Sequence, residues 1–306
     1  MISISSAYNI HKCRNWQELL LKTKKLGFDT VELNVEIPAD WINDIEASVN
    51  KKEIVISSLH NYCPKLESLP KGKSIFFAYN LASPDEDERK TAVKLTVKTV
   101  ETAQRLGAKA VVIHSGEVNI NPSGRDLFFY AVKFGRNAKL YEQYRESVIN
   151  GRRDKAKPYF DNLKKSLSEI LELSHNTNVK LGLETRIYYN EMPSIEEFHG
   201  IFEEFLNAPL YYWHDTGHAE VNVRLGLVKE HTDFLKPFKS RLLGMHLHDL
   251  NKFEDHLAPG SGDFDFKTLI PFISSDTIKV IEAHSRSSEK EVKNSLEYFK
   301  KIGLIN

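Results

Sequence analysis

Six segments of this sequence carry an apolar, β-rich run into a histidine, aspartate or glutamate: Leu59-His60, Ile113-His114, Leu183-Glu184, His214-Asp215-Thr216-Gly217-His218, His246-Leu247-His248 and Ile281-Glu282. Imidazole nitrogen and carboxylate oxygen, without thiolate, form a ligand set suited to borderline and hard divalent ions. Taken singly, each segment has a plainer account. A lone His60 or His114 at a strand end reads as a hydrogen-bonded structural residue. Glu184 or Glu282 alone reads equally as half of a structural ion pair, and Asp215 to His218 is a DxxH spacing of weak specificity. His246 and His248 lie two apart and face the same side of a strand, one as ligand and the other as its neighbour or a substrate group. Six such ends together point to one shared metal site.

Residues so far apart in sequence meet only in a fold whose strand ends converge. Short β-rich runs alternate here with longer amphipathic stretches, the pattern of parallel strands joined by helical crossovers. Strands are predicted at 2–7, 30–35, 54–60, 110–114, 180–184, 210–214, 242–248 and 279–283, with the clearest helical periodicity in 15–26, 85–106, 158–175, 195–206 and 289–302. The fold class is therefore α/β, a (β/α)8 TIM barrel, in which all strand C-termini open onto one mouth. Helix starts carry their own signals. Ser83 as cap with Pro84 and the acids 85–87 behind it begins one helix, and Ser194 with Glu196 and Glu197 begins another.

Two connections exceed ordinary length, 61–83 after the third strand and 115–154 after the fourth. The second holds Arg125, Phe128, Phe129, Tyr130, Arg136, Tyr141, Tyr144 and Arg145. It reads as a substrate lid or stacking surface, or more simply as an extra helix packed on the barrel rim. After the seventh strand, Glu254 and His256 precede Pro259-Gly260-Ser261-Gly262, a turn that lets backbone approach a ligand closely or bend sharply into a capped helix at 264–272.

The chain has 306 residues, 41% hydrophobic and 27% charged, which suits one barrel domain over 1–306 with the 115–154 insertion. Lys plus Arg and Asp plus Glu both total 42, so no overall bias favours nucleic acid or anionic membrane. Two cysteines, Cys13 and Cys63, are too few for a disulfide framework and form no CxxC pair. With neither a signal-like N-terminus nor an apolar run of roughly 18 residues, the expectation is a soluble cytoplasmic protein without membrane contact.

These residues, in this order, resemble the xylose-isomerase-like TIM barrels, which include sugar and sugar phosphate isomerases and epimerases together with endonuclease IV. The resemblance rests on Gly27 to Leu33, Asn80 to Pro84, Val112 to His114, Gly182 to Glu184, His214 to His218, Met245 to Asp249, Pro259 to Gly262 and Glu282. In epimerase-like members one ion is held by two Glu, an Asp and a His, which the resemblance maps to Glu184, Asp215, one of His246 and His248, and Glu282. Endonuclease IV holds three zinc ions with further ligands, matched here by His60, His114, His218 and His256. Glu254 stands where that enzyme has a second Asp.

The resemblance thus implies a divalent cofactor, zinc, manganese, magnesium or cobalt, at one to three ions per chain. As an isomerase or epimerase the protein would take a small sugar or sugar phosphate. Glu184 and Glu282 would transfer the proton through a metal-stabilised enediolate, while His248, Arg186, Arg286 and Glu32 contact substrate. The alternative is a multinuclear zinc phosphodiesterase acting on abasic DNA. A binding scaffold without catalysis leaves the complete ligand ring unexplained, and homo-oligomer formation is compatible with either enzyme.

Overall fold

Why the sequence closes into a barrel is visible in its alternation. On 110–113 Ala110 and Val112 face inward while Val111 and Ile113 face the helices, and the other strands repeat this pattern. The computed structural model describes residues 2–305. Eight parallel strands form a closed barrel: β1 (Ile2–Ser5), β2 (Thr30–Leu33), β3 (Val55–His60), β4 (Ala110–Ile113), β5 (Lys180–Glu184), β6 (Leu210–Asp215), β7 (Leu242–Leu247) and, after a hairpin of β8 (Asp249–Asn251) with β9 (Glu254–Leu257), the closing strand β10 (Ile278–Ile281). β10 pairs with both β1 and β7, which completes the (β/α)8 TIM barrel.

Helices α1 (Trp16–Lys25), α2 (Ile42–Asn50), α3 (Glu86–Arg105), α4 (Leu127–Phe134), α5 (Lys139–Leu173), α6 (Ile195–Glu204), α7 (Thr216–Arg224) and α8 (Glu289–Ile302) surround the strands. None of the described helices is long and apolar enough to cross a membrane. Ser194 forms the expected capping box with Glu197.

Three local expectations are corrected. The cap of α3 is Asp85, whose carboxylate accepts from the amides of Asp87 and Glu88, and Ser83 instead accepts from the Asp85 amide. The helix expected from 158 begins at Lys139 and runs through Pro158. Buried contacts of Tyr141, Val148 and Arg152 hold its first half against the barrel and outweigh the lost amide. The helix expected over 264–272 is a 3-10 segment, Phe266–Phe272, with Pro271 inside it, and no α-helix separates β7 from β10.

The 115–154 segment is therefore α4 and the first half of α5. It docks through the Arg152–Glu197 ion pair at 2.8 Å, while a Tyr130–Tyr144 ring stack at 3.9 Å joins α4 to α5 within it.

Beneath the mouth, the barrel is plugged by Trp213, fully buried among Ala110, Val112, Ile278 and Val280. Two glycines make room for it. A Cβ on Gly244 would stand 2.4 Å from the indole, and one on Gly182 would stand 3.0 Å away. Replacing Gly244 with Ala should therefore cost about 1–3 kcal/mol through overpacking, read as a lower denaturant midpoint. An unchanged midpoint would show that the indole can give way.

Candidate metal centre

Because inward positions alternate with outward ones, each strand that ends on a polar inward residue sends it to the same layer above Trp213. Glu184 of β5, Asp215 of β6, His246 of β7 and Glu282 just past β10 form that layer, each offering a ligand atom within 4.8 Å of the others. His246 Nδ1 is the focus. Glu184 Oε1 lies 2.5 Å from it, Glu282 Oε2 3.1 Å and Asp215 Oδ2 3.7 Å.

On its other side His246 Nε2 meets Glu32 Oε1 at 3.0 Å, while Ser58 donates to Glu32 Oε2 at 2.6 Å. Glu32, expected to touch substrate, is thus fully buried behind the histidine and fixes its orientation, a carboxylate–histidine arrangement typical behind metal ligands.

Three carboxylates converging out of water repel one another and call for a cation. Burial, reinforced by the carboxylates of Glu32, Glu184 and Asp215 and opposed by His246, pushes Glu282 up to about 8. His246 is pushed up as well, because these acids outweigh the burial that acts against its charge. Asp215 Oδ2 is buried without a hydrogen-bond partner. Its other oxygen is occupied, accepting from the His218 amide at 2.7 Å as the cap of α7. The donor set and the free oxygen fit a hard or borderline divalent cation.

Around this ring the remaining expected residues are sorted unequally. His60 stacks on His246 with centroids 5.4 Å apart and forms a second candidate group with Glu184 and His246. His114 Nε2 is 2.9 Å from Glu184 Oε2 and 2.7 Å from Arg186 Nη1. Arg186 contacts Glu184 and pairs with Glu191 at 2.9 Å. His218 Nδ1 donates to the Thr185 carbonyl, 3.0 Å away, and the residue forms a third candidate group with His248 and His256.

His248, expected at substrate, is fully buried with both nitrogens engaged. Nε2 is 2.9 Å from Asp215 and Nδ1 accepts the His256 amide at 2.9 Å. The approach is so close that a Cβ on Gly217 would lie 2.1 Å from this ring.

Two expectations on the β8–β9 hairpin are overturned. Glu254, expected as a ligand, is 61% exposed and pairs with Arg286, expected at substrate, at 2.8 Å. Strand alternation turns Glu254 outward and sends Asp255 inward, where it lies 3.1 Å from His256 Nδ1. Arg286 is thereby committed to the hairpin, contacting the Asp255 carbonyl as well.

The Pro259 to Gly262 turn also serves a different partner from the one its glycines suggest. It wraps the Asp249 carboxylate, which accepts from the amides of Leu250, Gly260, Gly262 and Phe264. Any side chain on Gly262 would collide with it, since a Cβ there lies 2.5 Å from Asp249 Oδ1 and 2.3 Å from the Leu250 carbonyl.

A cavity of about 250 Å³ opens over the ring. Glu184, Glu282, His60, His114, His218 and Arg186 face it from below, and Phe76, Phe77, Ile187 and Tyr188 from the far wall. Arg125 of the long insertion lies over both Phe77 and Tyr188, 4.1 and 4.6 Å from their centroids, and pairs with Glu117 at 2.7 Å. Asn34, Asp255 and His284 complete the mouth and were not anticipated. The spacing of two between Glu282 and His284, like that between His246 and His248, was the available signal for His284.

The sequence profile of the xylose isomerase-like TIM barrels matches residues 20–302. The chain belongs to this family. Among solved xylose isomerase-like barrels it is similar to a D-tagatose 3-epimerase-like protein, with 19% identity, TM-score 0.67, and coverage of 99% of this chain and 97% of that one. It is also similar to the 3-keto-D-glucoside 4-epimerase YcjR of E. coli, with 14% identity, TM-score 0.68 and 98% coverage of both chains. A D-psicose 3-epimerase of Clostridium cellulolyticum H10 gives 14% identity, TM-score 0.67 and 98% coverage of both. An uncharacterized protein of Methanocaldococcus jannaschii is 25% identical over 194 residues, which cover 62% of this chain and 55% of that relative.

Protonated Glu282 must lose its proton to ligate a cation. His246 Nδ1, held protonated by the same acids, must lose its proton too, so divalent-ion affinity should rise with pH through about 8. Calorimetry at pH 7 in buffers of different ionisation heat should record proton release on binding, and a pH-independent affinity would remove Glu282 from the ligand set.

Proposed function

We propose that this protein is a divalent-metal-dependent sugar isomerase or epimerase. The observation that carries the reading is the placement of two carboxylates, Glu184 and Glu282, beside one cation position at the base of a small cavity. They come from β5 and the end of β10, on either side of β6 and β7 in the barrel order. At about 250 Å³ the cavity falls below the roughly 300–1,000 Å³ of drug-sized ligand sites, and a monosaccharide is the scale of molecule it suits. The epimerases named among the structural neighbours support the same class.

Glu184, Asp215, His246 and Glu282 would hold the ion. When bound, a divalent ion supplies charge stabilisation to the enediolate that forms on loss of a proton next to a carbonyl. Glu184 and Glu282 move that proton, one oxygen removing it and the other returning it from the opposite flank. Glu32 keeps His246 Nε2 engaged, so that Nδ1 stays directed at the centre. Arg186, already oriented by Glu191, binds a substrate oxygen, and the aromatic wall of Phe76, Phe77 and Tyr188 keeps water away from the reacting carbon.

The grouping of His218, His248 and His256 favours a second reading, a multinuclear phosphodiesterase acting on abasic DNA. Against it, both nitrogens of His248 are engaged, and Glu254 faces solvent. The arginines at the mouth each face a carboxylate, which leaves their charge matched before any phosphate arrives.

Protein purified without chelator should contain about one divalent ion per chain, manganese, magnesium, cobalt or zinc. Three zinc ions per chain, with cleavage of an abasic-site duplex, would replace the isomerase reading by the phosphodiesterase one. Exchange of solvent deuterium into a ketose should fall by roughly 10²–10⁴ in Glu282→Gln. Undiminished exchange in that variant would refute the carboxylate pair.

A further inference from the structure

His284 lies two residues beyond Glu282 and lines the cavity, yet it belongs to none of the candidate ligand groups. Its ring is the outermost of three stacked imidazoles. His284 and His256 have centroids 3.9 Å apart and planes within 14°, and His256 and His248 are 4.0 Å apart and within 7°. The column runs from the buried floor at His248 to the exposed ring of His284 at the mouth.

Backbone bonds tie the same three residues together. The His256 amide donates to His248 Nδ1, and the His284 amide donates to the His256 carbonyl, both at 2.9 Å. His256 has φ +56°. A non-glycine residue keeps that conformation only where its surroundings over-determine it, so the column is a built feature and not a loose loop end.

The chemistry of the three rings differs along the column. His248 has both nitrogens engaged, and His256 Nδ1 lies beside Asp255. Among the described residues, no group forms a hydrogen bond with the ring of His284. Its face is held by stacking, which leaves the in-plane nitrogens directed away from the column. An imidazole offers one donor and one acceptor there, the complement of an alcohol.

We propose that His284 is a substrate-binding, specificity-determining residue, whose imidazole hydrogen-bonds a ligand hydroxyl at the cavity mouth. The inference rests on the sugar reading of the cavity. His256 supplies the platform that fixes the ring plane, so that the hydroxyl is recognised by direction as well as by polarity.

Two substitutions separate stacking from hydrogen bonding. His284→Phe keeps a flat ring against His256 and removes both nitrogens, whereas His284→Gln keeps a polar group and removes the ring. The assay is solvent-deuterium exchange into a panel of ketopentoses and ketohexoses, D-tagatose and D-fructose among them, with metal content measured for every variant. In His284→Phe, KM should rise roughly 2- to 12-fold, the weight of one hydrogen bond, with kcat and metal content unchanged, and His284→Gln should recover most of that loss.

An unchanged KM in His284→Phe, with wild-type turnover intact, overturns the inference and leaves the sugar reading standing. Loss of metal in His284→Phe also overturns it, by making the residue a support for the ligand ring. If metal-loaded wild-type protein exchanges no proton into any ketose of the panel, the sugar reading fails and this inference with it.

Discussion

The approach of three carboxylates to one histidine nitrogen governs this structure. Glu184, Asp215 and Glu282 are held together around His246 Nδ1 in a buried layer, an arrangement unfavourable on its own. Everything near it manages that charge. Glu32 and Ser58 brace the histidine from behind, Asp215 spends one oxygen on the first turn of α7, and Arg186 lies against Glu184. Below the layer, Trp213 closes the barrel floor. The two strand glycines beside that indole are the backbone's concession to the seal.

Much of this was legible in the sequence because a barrel strand imposes a period of two. Given that His246 faces the mouth, residues at even spacing on the same strand face it too, and an apolar run fixes which phase is inward. Hence the strands and the mouth could be placed from pattern alone, whereas the choice of Glu184, Asp215 and Glu282 among six strand ends came with the family resemblance, which left His246 and His248 as alternatives. Glu32 shows where the inference stops. Its phase was right, but its depth was not, since nothing in the sequence around 32 says which rung of the barrel it occupies. The same holds for His248, whose neighbours in space come from the β8–β9 hairpin and from Gly217.

Outside the strands the period is lost and tertiary contact decides. Glu254 and Asp255 are adjacent and chemically alike, and only the hairpin register determines which one turns toward His256. Pro158 looked like a helix start, yet the buried Arg152–Glu197 pair and the packing of Tyr141 and Val148 extend α5 well before it. Ser83 lost the cap to Asp85 by two residues, a margin that propensities do not resolve.

The Asp249 carboxylate gathers four backbone amides and closes the segment 249–264 on itself at the foot of the β8–β9 hairpin. That segment is consequently fastened at its base by its own backbone. Its fastening is at the base, independent of the residues at its tip, so substitutions around 252–255 can reshape the rim without disturbing the fastening. Within one barrel, the charged layer and the tip of the rim above it thereby hang on separate fastenings.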